Sequence, residues 1–120
     1  MANILIVDDS ASMRQMVCFT LKTAGHQVDD ACDGVEGFNK IKAKQYDLVI
    51  SDVNMPNKNG MELTADIRGL SNYKFIPILL LTTESSGDKK SQGRAAGATG
   101  WIVKPFNPDT LNQTVDKVLS

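Results

Sequence analysis

Three short, uninterrupted apolar runs, Ile4–Val7, Leu48–Ile50 and Ile78–Leu81, lead straight into carboxylates or hydroxyls. A run without polar alternation suits a strand covered on both faces, as in a parallel sheet layered between helices. The segments between the runs carry helical periodicity instead. Met13, Met16, Val17, Leu21 and Ala24 share one helical face, with Ser10 or Ser12 as cap and Gly25 as terminator. Gln27–Ala31 reads as a weaker strand, and Val35, Phe38 and Ile41 mark a second helix after Asp33-Gly34. The third strand spans Asp47–Ser51, and Leu63, Ile67 and Leu70 mark a third helix after Asn59-Gly60. Ile76–Thr82 and Gly100–Val103 complete the strands. Leu111, Val115, Val118 and Leu119 define the last helix, with Asn107 or Asp109 as cap and Pro108 in its first turn.

One segment is poor. Ser86–Gly97 falls where a fourth helix is due, yet it holds Gly87 and Gly93 and no large apolar residue. Glycine costs up to about 1 kcal/mol against alanine inside a helix, so tertiary context must hold this one. The alternation predicts an α/β fold: a doubly wound parallel sheet of five strands with five helices and right-handed crossovers.

With 120 residues the chain is expected to form one domain, residues 1–120. A net charge of −1 gives no bulk signal for nucleic acid, and no apolar run approaches membrane-spanning length. No secretory signal is visible at the start, and Cys18 and Cys32 suit reduced thiols in a cytoplasmic protein.

Ligands of such sheets sit beyond the carboxyl ends of the strands. Asp8-Asp9 follow the first strand, Asp52 the third, Thr82-Thr83 the fourth and Lys104-Pro105 the fifth. Asp8 or Asp9 could cap a helix, Asp52 could be a turn residue, and Lys104 could be a solvated charge. Chance does not place all of them at one sheet edge. Three converging carboxylates repel, and one holds a proton unless a cation intervenes. Mg²⁺ suits such a site, taking oxygen ligands while keeping waters. Asp52 then serves as a carboxylate nucleophile toward phosphorus, with Lys104 as a second positive charge and Thr82 as a hydroxyl donor.

Over essentially its whole length the sequence resembles the receiver domains of bacterial two-component response regulators. The marks are Ile-Leu-Ile-Val-Asp8-Asp9-Ser, Asp52-Val-Asn-Met-Pro56, Asn59-Gly60, Leu-Leu-Leu-Thr82-Thr83 and Lys104-Pro105-Phe106. The resemblance is to stand-alone, chemotaxis-type regulators, and it implies a flavodoxin-like strand order of 2-1-3-4-5. It implies Asp52 as phosphoacceptor for a histidine kinase. It makes Asp8, Asp9, Asp52 and the Asn54 backbone carbonyl the Mg²⁺ ligands, and Lys104 the phosphoryl partner. Thr82 becomes the switch hydroxyl, Asn54 and Glu84 tune the phosphoryl lifetime, and the Lys104–Pro105 peptide is cis. Where the family carries Tyr or Phe, outward at rest, this chain has its only tryptophan, Trp101.

The implied protein is a phosphoacceptor signalling switch rather than an enzyme, monomeric, with no nucleic-acid or membrane partner. Its target surface is the fourth helix, fifth strand and fifth helix, and its partners include a flagellar motor switch protein or a phosphatase. The alternatives are a phosphate sink or shuttle in another pathway and an aspartyl-phosphate phosphatase. The phosphatase lacks its second acid, because Asn54 stands two residues after Asp52. A flavin carrier of the same topology is disfavoured by Asp8-Asp9 where a phosphate-cradling loop belongs. Lys89, Lys90 and Arg94 form the one notable basic cluster, either a solvated face or a site for an acidic partner.

Overall fold

The computed structural model describes residues 2–82, 94–104 and 107–119. Five parallel strands, β1 (Asn3–Val7), β2 (Gln27–Ala31), β3 (Leu48–Asp52), β4 (Ile78–Thr82) and β5 (Gly100–Val103), form one sheet in the order β2-β1-β3-β4-β5. The three central strands are the apolar runs. β1 sits between β2 and β3, with Ile4 opposite Val28 on one side and Leu48 on the other.

Residue alternation along these strands sends side chains to two separate cores. Ile4, Ile6, Ile50 and Leu81 pack with Val17 and Leu21 of α1 (Ala11–Thr23) and with Leu111 and Val115 of the C-terminal helix, Pro108–Leu119. Leu5, Val7 and Val49 pack with Ile41 of α2 (Gly34–Ala43) and with Leu63 and Ile67 of α3 (Gly60–Arg68). Helices therefore cover both faces, as the uninterrupted runs require.

The helix starts follow the capping chemistry of the sequence. Ser10 Oγ accepts from the Met13 amide at 3.3 Å, and Asp33 Oδ1 accepts from the Glu36 amide at 2.8 Å. Asn59 and Glu62 form a reciprocal capping box on α3. Of the two candidate caps of the C-terminal helix, Asn107 performs the role, accepting from the Thr110 amide at 2.8 Å. Gly25 follows α1 with φ 98°, a left-handed conformation suited to glycine.

Several details differ from the sequence expectation. Leu70, expected in the third helix, lies beyond the end of α3 at Arg68, and β3 starts at Leu48 rather than Asp47. Asp52 is the last residue of β3 rather than the residue beyond it. β4 begins at Ile78, because Pro77 has no amide to donate to a ladder. Val35, expected on the inner face of α2, is 48% exposed. Phe38 and Ile41 pack into the core, and Val35 sits on the helix's first turn outside that cluster. The expected fourth helix lies mostly outside the described residues. Residues 94–96 are helical, and Gly97 ends them with φ 107° and its carbonyl bonded to Arg68 Nε at 2.9 Å.

Candidate functional site

Among the described residues, Asp8, Asp9, Asp52, Thr82 and Lys104 land on one edge of the sheet. Asp8 follows β1 directly and is held there by its amide, which donates to the Ala31 carbonyl at 3.1 Å. It is fully buried, while its neighbour Asp9 is exposed. Asp52 and Thr82 close β3 and β4 and are both buried. The Lys104 amide donates to the Thr82 carbonyl at 2.7 Å, so the lysine begins where β5 leaves the sheet.

The three carboxylates each offer an oxygen within 4.8 Å of the others. Lys104 Nζ reaches between them, 3.5 Å from Asp8 Oδ2 and 3.3 Å from Asp52 Oδ1. One ammonium does not neutralise the group. Burial pushes the Asp52 carboxyl above the ordinary carboxylate range, the Asp8 charge pushes it further, and Lys104 opposes both. Two buried carboxylates and one exposed carboxylate, with a single lysine, form a site still short of positive charge. A small divalent cation reached through the exposed Asp9 side fits that donor set: all ligands are oxygens, and their mutual approach is favourable only around a metal.

The loop after β3 is built for close approach. The Gly60 amide donates to the Val53 carbonyl at 2.9 Å. A Cβ at Gly60 would stand 2.2 Å from the Asp52 carbonyl oxygen, so α3 can start this near the site only with glycine there. Asn57 holds φ 68°, and its Nδ2 donates to Asp33 Oδ2 at 3.0 Å, tying the loop to the start of α2. Asn54 lies exposed on this loop.

Trp101 stands on β5 opposite Leu80. Trp101 is half-buried, and its Nε1 is sealed from solvent without a hydrogen-bond partner among the described residues. Glu84, Thr83, Lys89, Lys90, Pro105 and Phe106 lie outside the described residues, so the expected lifetime-tuning acid, the cis peptide and most of the basic cluster do too. Arg94 is exposed.

One participant escaped sequence reasoning. Arg14 of α1 donates from Nη1 to the Asp8 carbonyl at 2.7 Å and from Nε to Asp30 Oδ2 at 3.1 Å. The available signal was electrostatic: a cation near a helix N-terminus opposes the helix dipole and calls for a reason.

The response regulator receiver domain profile matches residues 4–116. The chain belongs to the response regulator receiver domain family. The receiver superposes on the structure of the Vibrio cholerae chemotaxis protein CheY4 with a TM-score of 0.97, at 55% identity over 99% of both chains. The receiver is 38% identical to chemotaxis protein CheY1 of Helicobacter pylori, over 97% of this chain and 95% of that one. The Thermotoga maritima response regulator TrrA, solved in complex with Mg²⁺-BeF, matches with a TM-score of 0.88. Its identity is 36%, over 99% of this chain and 100% of that one. The flavodoxin-like order 2-1-3-4-5 is thus both observed in the receiver and shared with its relatives. No helix among the described residues is long and apolar enough to cross a membrane.

Proposed function

We propose that this receiver takes a phosphoryl group from a histidine kinase onto Asp52 and thereby switches a protein-binding surface. The observation that carries this reading is the placement of Asp52. It is a buried carboxylate at the end of a central strand, 3.3 Å from Lys104 Nζ and within 4.8 Å of oxygens of both Asp8 and Asp9.

An Asp52 oxygen attacks phosphorus, the P–N bond of the phosphorylated histidine breaks, and the imidazole leaves with that electron pair. An acyl phosphate forms on Asp52. Lys104 offsets the negative charge gathered on the phosphoryl oxygens, and Thr82 offers a hydroxyl to one of them. Asp8, Asp9, Asp52 and the Asn54 carbonyl would hold Mg²⁺, which when bound would supply the remaining charge neutralisation. TrrA, similar in sequence and fold, was solved with Mg²⁺ and a beryllofluoride group, which supports the same pairing here. Asn54 and Glu84 tune hydrolysis of the acyl phosphate, which the domain performs on itself.

The output runs from Asp52 through Thr82 to Trp101. Similarity to CheY1 and CheY4 favours chemotaxis and flagellar motor control, with a motor switch protein and a phosphatase as partners of a monomeric, cytoplasmic regulator. A phosphate sink in another pathway uses the same chemistry without the output step. Incubation with acetyl phosphate and Mg²⁺ tests the core of the reading. The intact mass should rise by one phosphoryl group in the wild type and stay fixed in Asp52→Asn; a gain that persists in Asp52→Asn refutes it.

A further inference from the structure

Each polar atom of Asp8 is engaged. Its amide bonds the Ala31 carbonyl at 3.1 Å, Oδ1 accepts from the Ser10 amide at 2.9 Å, and Oδ2 faces Lys104 Nζ at 3.5 Å. Its carbonyl is held by Arg14 Nη1 at 2.7 Å. Asp9 is the opposite: exposed, with no hydrogen bond or ion pair among the described residues. The peptide that joins it to Asp8 is held through the carbonyl that Arg14 grips, so Arg14 bears on where the Asp9 Cα–Cβ bond starts.

Arg14 is itself anchored. Its Nε bonds Asp30 Oδ2 at 3.1 Å, and Asp30 lies at the carboxyl end of β2, opposite Ile6 of β1. The arginine side chain is 19% exposed and its bond to the Asp8 carbonyl is partly buried, while the Asp30 end of the clamp faces water. The planar guanidinium spans two acceptors at a fixed angle, which a lysine does not do.

We infer that Arg14 is a positioning residue for the metal site, acting through the Asp8–Asp9 peptide to aim the Asp9 carboxylate. The inference rests on the reading of Asp8, Asp9 and Asp52 as Mg²⁺ ligands. It makes a prediction opposite in sign to simple electrostatics. Removing a cation beside an acidic pocket should tighten binding of a divalent cation. Loss of a ligand's orientation should weaken it, by about 10-fold or more for supports of this kind.

The test is Mg²⁺ binding to the full chain by titration calorimetry, beside melting curves in EDTA. Arg14→Met keeps the apolar stem and removes the charge; Arg14→Lys keeps the charge and removes the fork. Both should bind Mg²⁺ about 10-fold more weakly than wild type. Combining either with Asp9→Asn should add little further loss, because Arg14 acts through Asp9. Wild-type or tighter affinity in Arg14→Lys overturns the inference. So does full additivity with Asp9→Asn, and so does a failure of both variants to fold in EDTA, which would make Arg14 purely structural. If the wild type itself binds no Mg²⁺, the metal-site reading fails and this inference falls with it; if only the variants match wild type, the site stands and the inference alone fails.

Discussion

Lys104 Nζ lies 3.3 Å from Asp52 Oδ1, joining the end of β5 to the end of β3 across β4. The lysine is shielded, with 15% of its side chain exposed, and the same ammonium also serves Asp8. Lys104→Ala therefore leaves two buried carboxylates without a counter-charge. In EDTA the variant should lose about 2 kcal/mol, less than a fully enclosed pair loses, because the Asp9 side is open to water. Mg²⁺ should restore much of that stability, and its affinity should equal or exceed wild type, since a competing cation is gone. Melting curves with and without Mg²⁺ check both; phosphorylation from acetyl phosphate should be strongly slowed.

The raised pKa of Asp52 fixes a pH dependence. In the metal-free fold the carboxyl holds its proton more tightly than in the unfolded chain. Its contribution is thus fully present below the ordinary value of 3.8 and is lost as pH rises through the folded-state pKa. At neutral pH the ionised Asp52 destabilises the fold, first through burial and then through Asp8. Asp52→Asn should therefore melt a few degrees higher than wild type in EDTA at pH ~7, with the gap closing on acidification. Parallel melting series across pH measure that gap; a gap that widens toward acid contradicts the assignment.

Gly60→Ala places a methyl group 2.2 Å from the Asp52 carbonyl oxygen, against backbone rather than a flexible side chain. The helix start or the end of β3 must shift. Stability should fall by about 1–3 kcal/mol, the range of an overpacked interior. Mg²⁺ affinity and phosphorylation rate should fall as well, because the displaced segment carries Asp52. Denaturant unfolding and calorimetry separate the two effects.

Trp101 holds a buried indole N–H without a partner among the described residues, an arrangement that costs about 1–3 kcal/mol. A rearrangement that gave this N–H an acceptor would recover that cost. Addition of Mg²⁺ and beryllofluoride should alter the fluorescence of this single tryptophan in the wild type and leave it flat in Asp52→Asn. Acrylamide quenching that is identical with and without beryllofluoride would remove Trp101 from the output path.

Much of the fold was legible in the residues. Uninterrupted runs at Ile4–Val7 and Ile78–Leu81 demand helices on both faces, and a strand must end somewhere, so the polar residues after each run reveal the ligand edge. β2 and β5 fell on the expected residues, Gln27–Ala31 and Gly100–Val103, and Ser10, one of the two expected caps, caps α1. What pattern alone left undecided was the state of each group. Asp8 and Asp9 are adjacent and chemically identical, yet one is fully buried and the other exposed. Burial is set by where the chain leaves the sheet and what packs above it. Val35 fitted a helical stripe but turned outward, because the sheet covers only one side of α2 and Phe38 and Ile41 filled it. The Arg14 clamp joins α1 to the turn after β1 and to the end of β2, a meeting of three segments that no local spacing encodes. Sequence by itself determined the elements and the chemistry available at their ends; only the packed fold decided which charges lose water, which face each other, and which are held in place, because those depend on distances between residues far apart in the chain.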